Sequence, residues 1–165
     1  QCKSNVSLEL FNYIIAKGNK NIQNIVQTNG SMLKSTTVSK LLPYIQQLRI
    51  SYDAATESTY NKIRVNGNWT KLLENTQLII NEVRKQNLRT MISLDFVIQI
   101  DNYKEIPAFF ALCKDLGVTP TLQKMWNWGT WELNEFKQKN VIDIAHNAHA
   151  ELLDIMKSVG IHVTE

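Results

Sequence analysis

Cysteine is nearly missing from this sequence: Cys2 and Cys113 are the only two in 165 residues. Two thiols so far apart cannot supply the four ligands of a zinc or iron–sulfur site, and they do not form a disulfide framework. Cys113 falls on the apolar stripe of a predicted helix, so we expect it to be buried and inert, whereas Cys2 is expected to be an exposed thiol.

Glycine, proline and long apolar runs are also scarce. Six Gly and three Pro are too few for a disordered or collagen-like protein. No apolar run approaches the roughly 18–20 residues that span a bilayer, so no membrane association is expected. Because no signal peptide is apparent, we attribute three N-x-Ser/Thr triplets, at Asn5, Asn29 and Asn68, to chance and predict a cytoplasmic location.

The sequence has no strong excess of one charge sign. Its 18 Lys and Arg are dispersed among 15 Asp and Glu, which leaves a formal charge of +3. A nucleic-acid binder would need basic residues clustered on one face, so nucleic acid is not predicted as a partner. His146 and His149 are spaced i, i+3, but two further ligands are not apparent, and no metal site is predicted.

What the chain does contain is enough apolar residue, 44%, to build the core of one domain, which we assign to residues 1–165. It is too short for a complete eight-stranded α/β barrel, which needs roughly 250 residues. The sequence starts with Gln1 rather than Met, and a helical pattern at 8–15 precedes any strand. We therefore interpret it as a portion of a longer or processed protein.

Strand-like and helix-like patterns alternate along the chain. Near-continuous apolar or β-rich runs predict strands at 22–27, 48–51, 91–98 and 118–125. Apolar stripes of helical spacing occur around 38–42, 72–83, 106–116 and 152–159, with a polar connection before the second and a Trp-rich loop before the last. This order is typical of βαβ units with a parallel sheet covered by helices.

Polar residues follow each predicted strand, at 28–30, 51–53, 99–102 and 124–127. Ligands of parallel α/β proteins bind at these carboxyl ends, where loops converge and helix N-termini present free N–H groups. Neither common Gly-rich phosphate loop is present, so a nucleotide fold of those types is not supported.

Two stretches resemble a known family. Residues 28–30 read Thr-Asn-Gly, and residues 51–64 follow the pattern S-x-D-A-x-T-x-x-T-Y-x-x-x-R. In this order and about 20 residues apart, they resemble the third and fourth strands of the radical S-adenosylmethionine (radical SAM) superfamily. Residues 96–99, 116–118 and the segment Trp-Asn-Trp-Gly-Thr-Trp at 126–131 are similar to later parts of that core in members with twitch or SPASM extensions.

The resemblance implies a partial parallel (β/α) barrel, with roughly four strands of a core that would have six. For the intact parent it implies reductive cleavage of S-adenosylmethionine by a reduced 4Fe-4S cluster, giving a 5′-deoxyadenosyl radical that abstracts a hydrogen atom. The family holds this cluster through cysteines spaced C-x3-C-x2-C, which this sequence lacks. Its Gly-Gly-Glu-type segment is also missing, so we expect the isolated chain to be inactive.

The resemblance also implies roles for individual residues. Ser51 would contact the ribose hydroxyls, and Arg64 the methionine carboxylate. Asp53 points the same way along the strand as Ser51; the alternative is that Ser51 and Asp53 cap the following helix. Asn29 would face the cofactor or simply form a turn with Gly30.

Four strand-end residues, Gln99, Asn102, Lys124 and Asn127, would border adenine or substrate, or lie in solvated loops. The tryptophans at 126, 128 and 131 would form a substrate wall, or belong to the core or an interface. Asn66 stands before Gly67 where the family has a second glycine, and we expect Asn to tolerate the positive φ of that turn.

Two alternative functions remain open. The chain could be a non-catalytic module that binds a nucleoside-like ligand or a partner protein, or a different α/β-barrel enzyme with Asp53 or Lys124 as acid or base. The sheet edge left by missing strands favours self-association or pairing with a complementing N-terminal segment.

Overall fold

The computed structural model describes residues 13, 16–17, 23–30 and 39–161 of the chain. Within the helix predicted for 8–15 and just after it, Tyr13, Ala16 and Lys17 are described, and all three are helical. Cys2, residue 22 of the first predicted strand and the tail after Ile161 lie outside the described residues.

Four parallel strands form one sheet: β1 (Ile25–Thr28), β2 (Gln47–Ser51), β3 (Met91–Ile98) and β4 (Thr119–Lys124). Their order in space, β1-β2-β3-β4, is also their order along the chain. Each connection therefore moves one strand further in the same direction, which leaves β1 and β4 at the edges of the described sheet. The prediction of a parallel α/β sheet is confirmed.

Besides the helical residues 13, 16–17 and 39–41, five helices lie within the described residues: α1 (Glu57–Ile63), α2 (Trp69–Lys85), α3 (Ile106–Leu116), α4 (Leu133–Lys139) and α5 (His149–Ser158). Two short 3-10 helices span Leu42–Tyr44 and Tyr103–Glu105. Helix α3 ends at Gly117 in the left-handed conformation, as predicted. The polar connection before α2 contains α1, which is the helix expected to follow Ser51 and Asp53, and the Trp-rich loop leads into α4, which was not predicted.

One face of the sheet is apolar and carries the core. Because side chains alternate along a strand, Leu48 and Ile50 share a face, and the parallel register places Leu94 beside Ile50. Phe96 continues this row, and all four side chains belong to one buried cluster with the inward residues of α2 and α3. Burial of each such side chain stabilises the fold by about 1.5–3 kcal/mol.

The opposite face of the sheet, here called the polar face, has a different composition. Gln27, Arg49 and Ser93 lie in register across β1, β2 and β3. One step further toward the carboxyl ends, Ser51 of β2 lies beside Asp95 of β3. Functional side chains are therefore concentrated on the polar face and at the strand ends that follow it.

Nothing within the described ranges has the length and apolar character of a membrane-spanning helix.

Candidate functional site

Asp53 occupies the bend that ends β2. Its φ of +56° is left-handed, a conformation that Asp adopts more readily than most residues. The backbone N–H groups of Tyr52 and Asp53 both donate to the Asp95 carbonyl, at 2.9 and 3.2 Å. The bend directs the Asp53 carboxylate toward β3, where its Oδ1 accepts a hydrogen bond from the Val97 N–H at 2.8 Å.

The side chain of Arg64, at the end of α1, contacts the Asp53 carboxylate. Its Nε donates to Asp53 Oδ2 at 2.9 Å, and its Nη2 contacts the same oxygen. The Asp53 side chain is 5% exposed and that of Arg64 is 36% exposed. A buried carboxylate therefore holds a guanidinium that still reaches the surface, and the structure brings Asp53 and Arg64 together.

The segment between Asp53 and Arg64 is fixed by tight packing. Tyr60 of α1 is buried and stacks near Trp69, with ring centroids 5.4 Å apart. A Cβ at Gly67 would lie 2.5 Å from Tyr60 Cε1 and 2.8 Å from the Arg64 carbonyl oxygen, so only glycine fits there. Asn66 has φ +63°, as expected for the turn.

The start of α1 is capped by residues other than Ser51 and Asp53. Thr56 is the N-cap, and its side chain accepts from the Thr59 N–H. Glu105 adds three short hydrogen bonds, from the Ala55 N–H at 2.7 Å and from the Thr56 and Thr59 hydroxyls at 2.6 Å each. The capping alternative for Ser51 and Asp53 is therefore wrong, because the Asp53 carboxylate is bound to Arg64 and Val97 instead.

The cap controls the electrostatics of Glu105. Burial opposes ionisation of this carboxyl, but the hydrogen bonds from Thr56, Thr59 and two backbone N–H groups favour the carboxylate, and together they lower its pKa below the usual value. Glu105 is thus a structural anion that fixes α1, and with it Arg64.

Asn102 ties the end of β3 to the Asp53 bend. Its Nδ2 donates to the carbonyls of Asp53 and Val97, both at 2.9 Å, and its Oδ1 accepts from the Gln99 N–H at 2.8 Å. The side chain is buried and its polar atoms are occupied. Asn102 therefore shapes the site rather than facing a ligand, and Gln99 beside it is also buried.

A second arginine–aspartate pair crosses the polar face. Arg49 Nε donates to both carboxylate oxygens of Asp95, at 3.2 and 3.0 Å. Gln27 Nε2 donates to the same carboxylate at 3.3 Å, and Gln47 Nε2 donates to the Ser93 hydroxyl at 3.3 Å. The sequence analysis missed this pair, although polar residues alternate with apolar ones at 47–51 and 93–95.

The Thr28–Gly30 segment forms a bend after β1. Gly30 has φ +71°, its N–H donates to Thr28 Oγ1 at 3.2 Å, and its carbonyl accepts from Asn75 Nδ2 at 2.7 Å. The bend is therefore packed on α2, and it supports the turn interpretation of Asn29.

Lys124 and the Trp-rich loop lie apart from the Asp53 site. Lys124 pairs in register with Ile98, which puts it in the row of the apolar face, and its Nζ lies 4.0 Å from the Trp126 ring centroid. Trp126 and Trp128 are 58% and 86% exposed, so their assignment to the core is wrong. Asn127 orders the loop, because its Oδ1 accepts from three backbone N–H groups, at residues 129–131.

The remaining candidate residues are structural. Cys113 is fully buried, as predicted, and burial raises its pKa to about 12, which disfavours the reactive thiolate. His146 Nδ1 accepts from the Ala148 N–H at 3.1 Å, and His149 Nδ1 contacts the Val141 carbonyl at 3.3 Å. The described part of the chain contains no group of three or more His, Cys, Asp or Glu placed to hold a metal ion.

No protein-family model matches the sequence, and no curated protein shows significant similarity to it.

Proposed function

We propose that the chain is the C-terminal portion of a radical SAM-type barrel and that it binds S-adenosylmethionine at the end of β2. The sequential order of the four parallel strands is the order that a (β/α) barrel requires. The resemblance of residues 28–30 and 51–64 to the superfamily favours S-adenosylmethionine as the ligand, and the polar residues at the end of β2 support a site there.

One observation carries the proposal: Asp53 holds Arg64 at the end of β2, the strand on which Ser51 lies two residues earlier. Arg64 uses Nε and Nη2 on Asp53, and a guanidinium has five N–H donors. Donors therefore remain for the methionine carboxylate. Ser51 lies on the polar face, two residues before the bend at Asp53. Its hydroxyl has no hydrogen bond within the described residues, so it is available to the ribose.

Asp53 takes a different role in this proposal from that of a ligand. Both of its carboxylate oxygens are occupied, by Arg64 and by the Val97 N–H. It is a positioning residue that locks the Arg64 side chain, which otherwise has many rotamers, and thereby reduces the entropy cost of binding a carboxylate. Gln99 follows the end of β3 with its N–H held by Asn102, Asn29 follows the end of β1, and Lys124 contacts Trp126.

The chain does not fit the iron–sulfur cluster. It contains two cysteines, and the one that is described, Cys113, is buried in the apolar core. A 4Fe-4S cluster held by three cysteines needs ligands from outside this sequence, so the chain alone is expected to be inactive. Radical chemistry with a reduced cluster requires a reducing compartment, which supports a cytoplasmic location.

The test is a calorimetric titration of the full chain with S-adenosylmethionine. We expect saturable binding that weakens by about tenfold or more in Arg64→Gln, because a charge-assisted hydrogen bond is lost. The matched control is Lys62→Gln, which removes the same charge from the same helix at an exposed side chain that pairs with Asp101. It should leave the affinity unchanged.

Arg64→Gln leaves the buried Asp53 carboxylate without its partner, so the double variant Arg64→Gln/Asp53→Asn is measured beside it. The double variant removes both charges and keeps a hydrogen-bonding pair. Absence of heat with the wild-type chain, or full affinity in both Arg64 variants, would refute the proposal.

A second candidate function is a non-catalytic binding module or a barrel completed by another chain. The exposed tryptophans beyond β4, together with the two sheet edges, favour it. The third candidate, an acid–base enzyme using Asp53 or Lys124, has no support, because Asp53 is fully engaged and Lys124 contacts Trp126.

A further inference from the structure

Arg49 is held by Asp95 in a fixed orientation on the polar face. The Asp95 side chain is 1% exposed, whereas that of Arg49 is 28% exposed. Gln27, from the neighbouring edge strand, donates to the same carboxylate. The buried aspartate therefore lies beneath the guanidinium and anchors it from below.

The outer edge of this guanidinium has no acceptor among the described residues. Both hydrogen bonds of Arg49 to Asp95 come from Nε, so its Nη1 and Nη2 groups have no acceptor among the described residues. Neither nitrogen belongs to the buried, unpartnered side-chain atoms of the described residues, which are Gln123 Nε2 and Asn140 Oδ1. The Arg49 side chain is 28% exposed, so its four remaining N–H donors are unoccupied among the described residues and can serve a ligand.

A second carboxylate that could use those donors is missing from the described surroundings. Among described residues, the acidic partner of Arg49 is Asp95 alone, and the other polar neighbours, Gln27, Gln47 and Ser93, are neutral. A guanidinium whose inner edge is anchored and whose outer edge is free matches the two oxygens of a carboxylate or phosphate.

Arg49 is also close to the proposed cofactor site. It precedes Ser51 by two residues on β2, so the two side chains are on the same face and their Cα atoms are about 6.5–7 Å apart. An anion bound by Arg49 would lie two residues closer to the N-terminal end of β2 than a ribose bound by Ser51. A second ligand on the polar face would therefore lie next to the cofactor.

We propose that Arg49 binds an oxyanion, a carboxylate or phosphate, and that this anion belongs to the substrate. Only the second half of this statement rests on the proposed function; anion binding itself is independent of it. The inference names the substrate class, a molecule with at least one oxyanion, for a site whose substrate the sequence left open.

The experiment is a titration of the ¹⁵N-labelled full chain with inorganic phosphate and, in a second arm, with acetate. The backbone N–H resonances of residues 49–51 and 93–95 report binding in every variant, and the wild-type chain is also followed through the Nε–H resonance of Arg49. We expect saturable shifts of these resonances with one or both anions. In the double variant Arg49→Gln/Asp95→Asn, binding should weaken by at least about tenfold, because the charged donor is lost. The double substitution avoids an unpaired buried carboxylate.

Two further variants separate a built site from simple attraction by charge. Arg49→Lys keeps the positive charge but loses the paired N–H donors of the guanidinium, and we expect the anion to bind several-fold more weakly. Arg89→Gln removes the same charge from an exposed residue that has no hydrogen bond or ion pair within the described residues, and it should change nothing.

Each outcome decides the matter. Absence of a saturable shift, or equal losses in the Arg89 and Arg49 variants, would overturn the anion site. Phosphate binding that depends on Arg49, without any binding of S-adenosylmethionine, would support the anion site and reject the proposed function. Binding of S-adenosylmethionine without Arg49-dependent binding of an anion would support the proposed function and reject the anion site.

Discussion

At the scale of single residues, the site depends on side chains that hold other side chains. Asp53 fixes Arg64, Asp95 fixes Arg49, and Glu105 fixes the first turn of α1. In each case the carboxylate is buried or hydrogen-bonded and the functional group lies further out. Substitution of the inner residue should therefore change both stability and binding.

Glu105 gives a prediction about pH. Its pKa is lowered in the folded chain, so its stabilising effect is fully present above the pKa of an unfolded glutamate and is lost as the pH falls through the lowered folded value. We expect Glu105→Gln to reduce the free energy of unfolding by about 1–2 kcal/mol at pH 7, a range discounted for solvent exposure.

Urea denaturation at pH 7 and below pH 4 measures this effect. The difference between wild type and Glu105→Gln should shrink at the lower pH, because the wild-type carboxyl is then becoming protonated. Glu74→Gln is the control, since Glu74 is exposed and has no partner in the described part of the chain. A difference that stays constant with pH would show that the carboxylate charge is not what stabilises α1.

At the scale of elements, the ends of β2 and β3 act as one unit because Asn102 connects them. Its side chain satisfies two carbonyls and one N–H that would otherwise be buried without partners. The bend at Asp53 therefore keeps its left-handed conformation only while the β3 end is in place.

Asn102→Ala should be among the more destabilising substitutions in the chain. It leaves three backbone groups without partners, and we expect a loss of about 2–4 kcal/mol in the free energy of unfolding. Asn127→Ala is the matched control, because Asn127 also bonds several backbone groups but lies in an exposed loop. Thermal denaturation of both variants tests this; equal losses would contradict the role given to Asn102.

The elements that the sequence predicted well are those with an apolar pattern. Strand β3 was predicted with its observed bounds, and α3 ends at Gly117 as expected. Helix α4 was missed because it buries no residue and has no apolar stripe that periodicity could detect. Helix α1 was expected after Asp53 but without bounds, because it buries only Tyr60.

The same reasoning applies to the site. The family pattern identified Ser51, Asp53 and Arg64, because those residues lie within one continuous segment. The Arg49–Asp95 pair could not be found in this way, since it depends on which residues of two strands lie side by side. Sequence alternation assigns each residue to a face, but only the register determines its partner.

At the scale of the whole molecule, two features favour association. The described sheet has β1 and β4 at its edges, with unpaired backbone groups along each. Beyond β4, Trp126 and Trp128 are exposed on a loop that Asn127 holds in one conformation, so the two rings are presented with little entropy cost.

We therefore predict concentration-dependent self-association of the isolated chain. Size-exclusion chromatography with light scattering over a range of concentrations should show a rising mass, and Trp126→Ser/Trp128→Ser should shift the onset to several-fold higher concentration. Leu133→Ser is a comparison at another exposed apolar side chain. A monomer at all concentrations would contradict the prediction, and an unchanged onset in the tryptophan variant would attribute association to the strand edges alone.

The one-directional strand order has a consequence for how such a protein can vary. Each described strand pairs with the strand that precedes it in sequence, and no later strand is inserted between two earlier ones. A unit can therefore be gained at either edge while the three existing pairings keep their hydrogen bonds, and removal of β1 or β4 breaks only the one pairing of that strand. In this architecture, homologous proteins can differ by a whole strand–helix unit at either edge while the central β2–β3 pair stays unchanged.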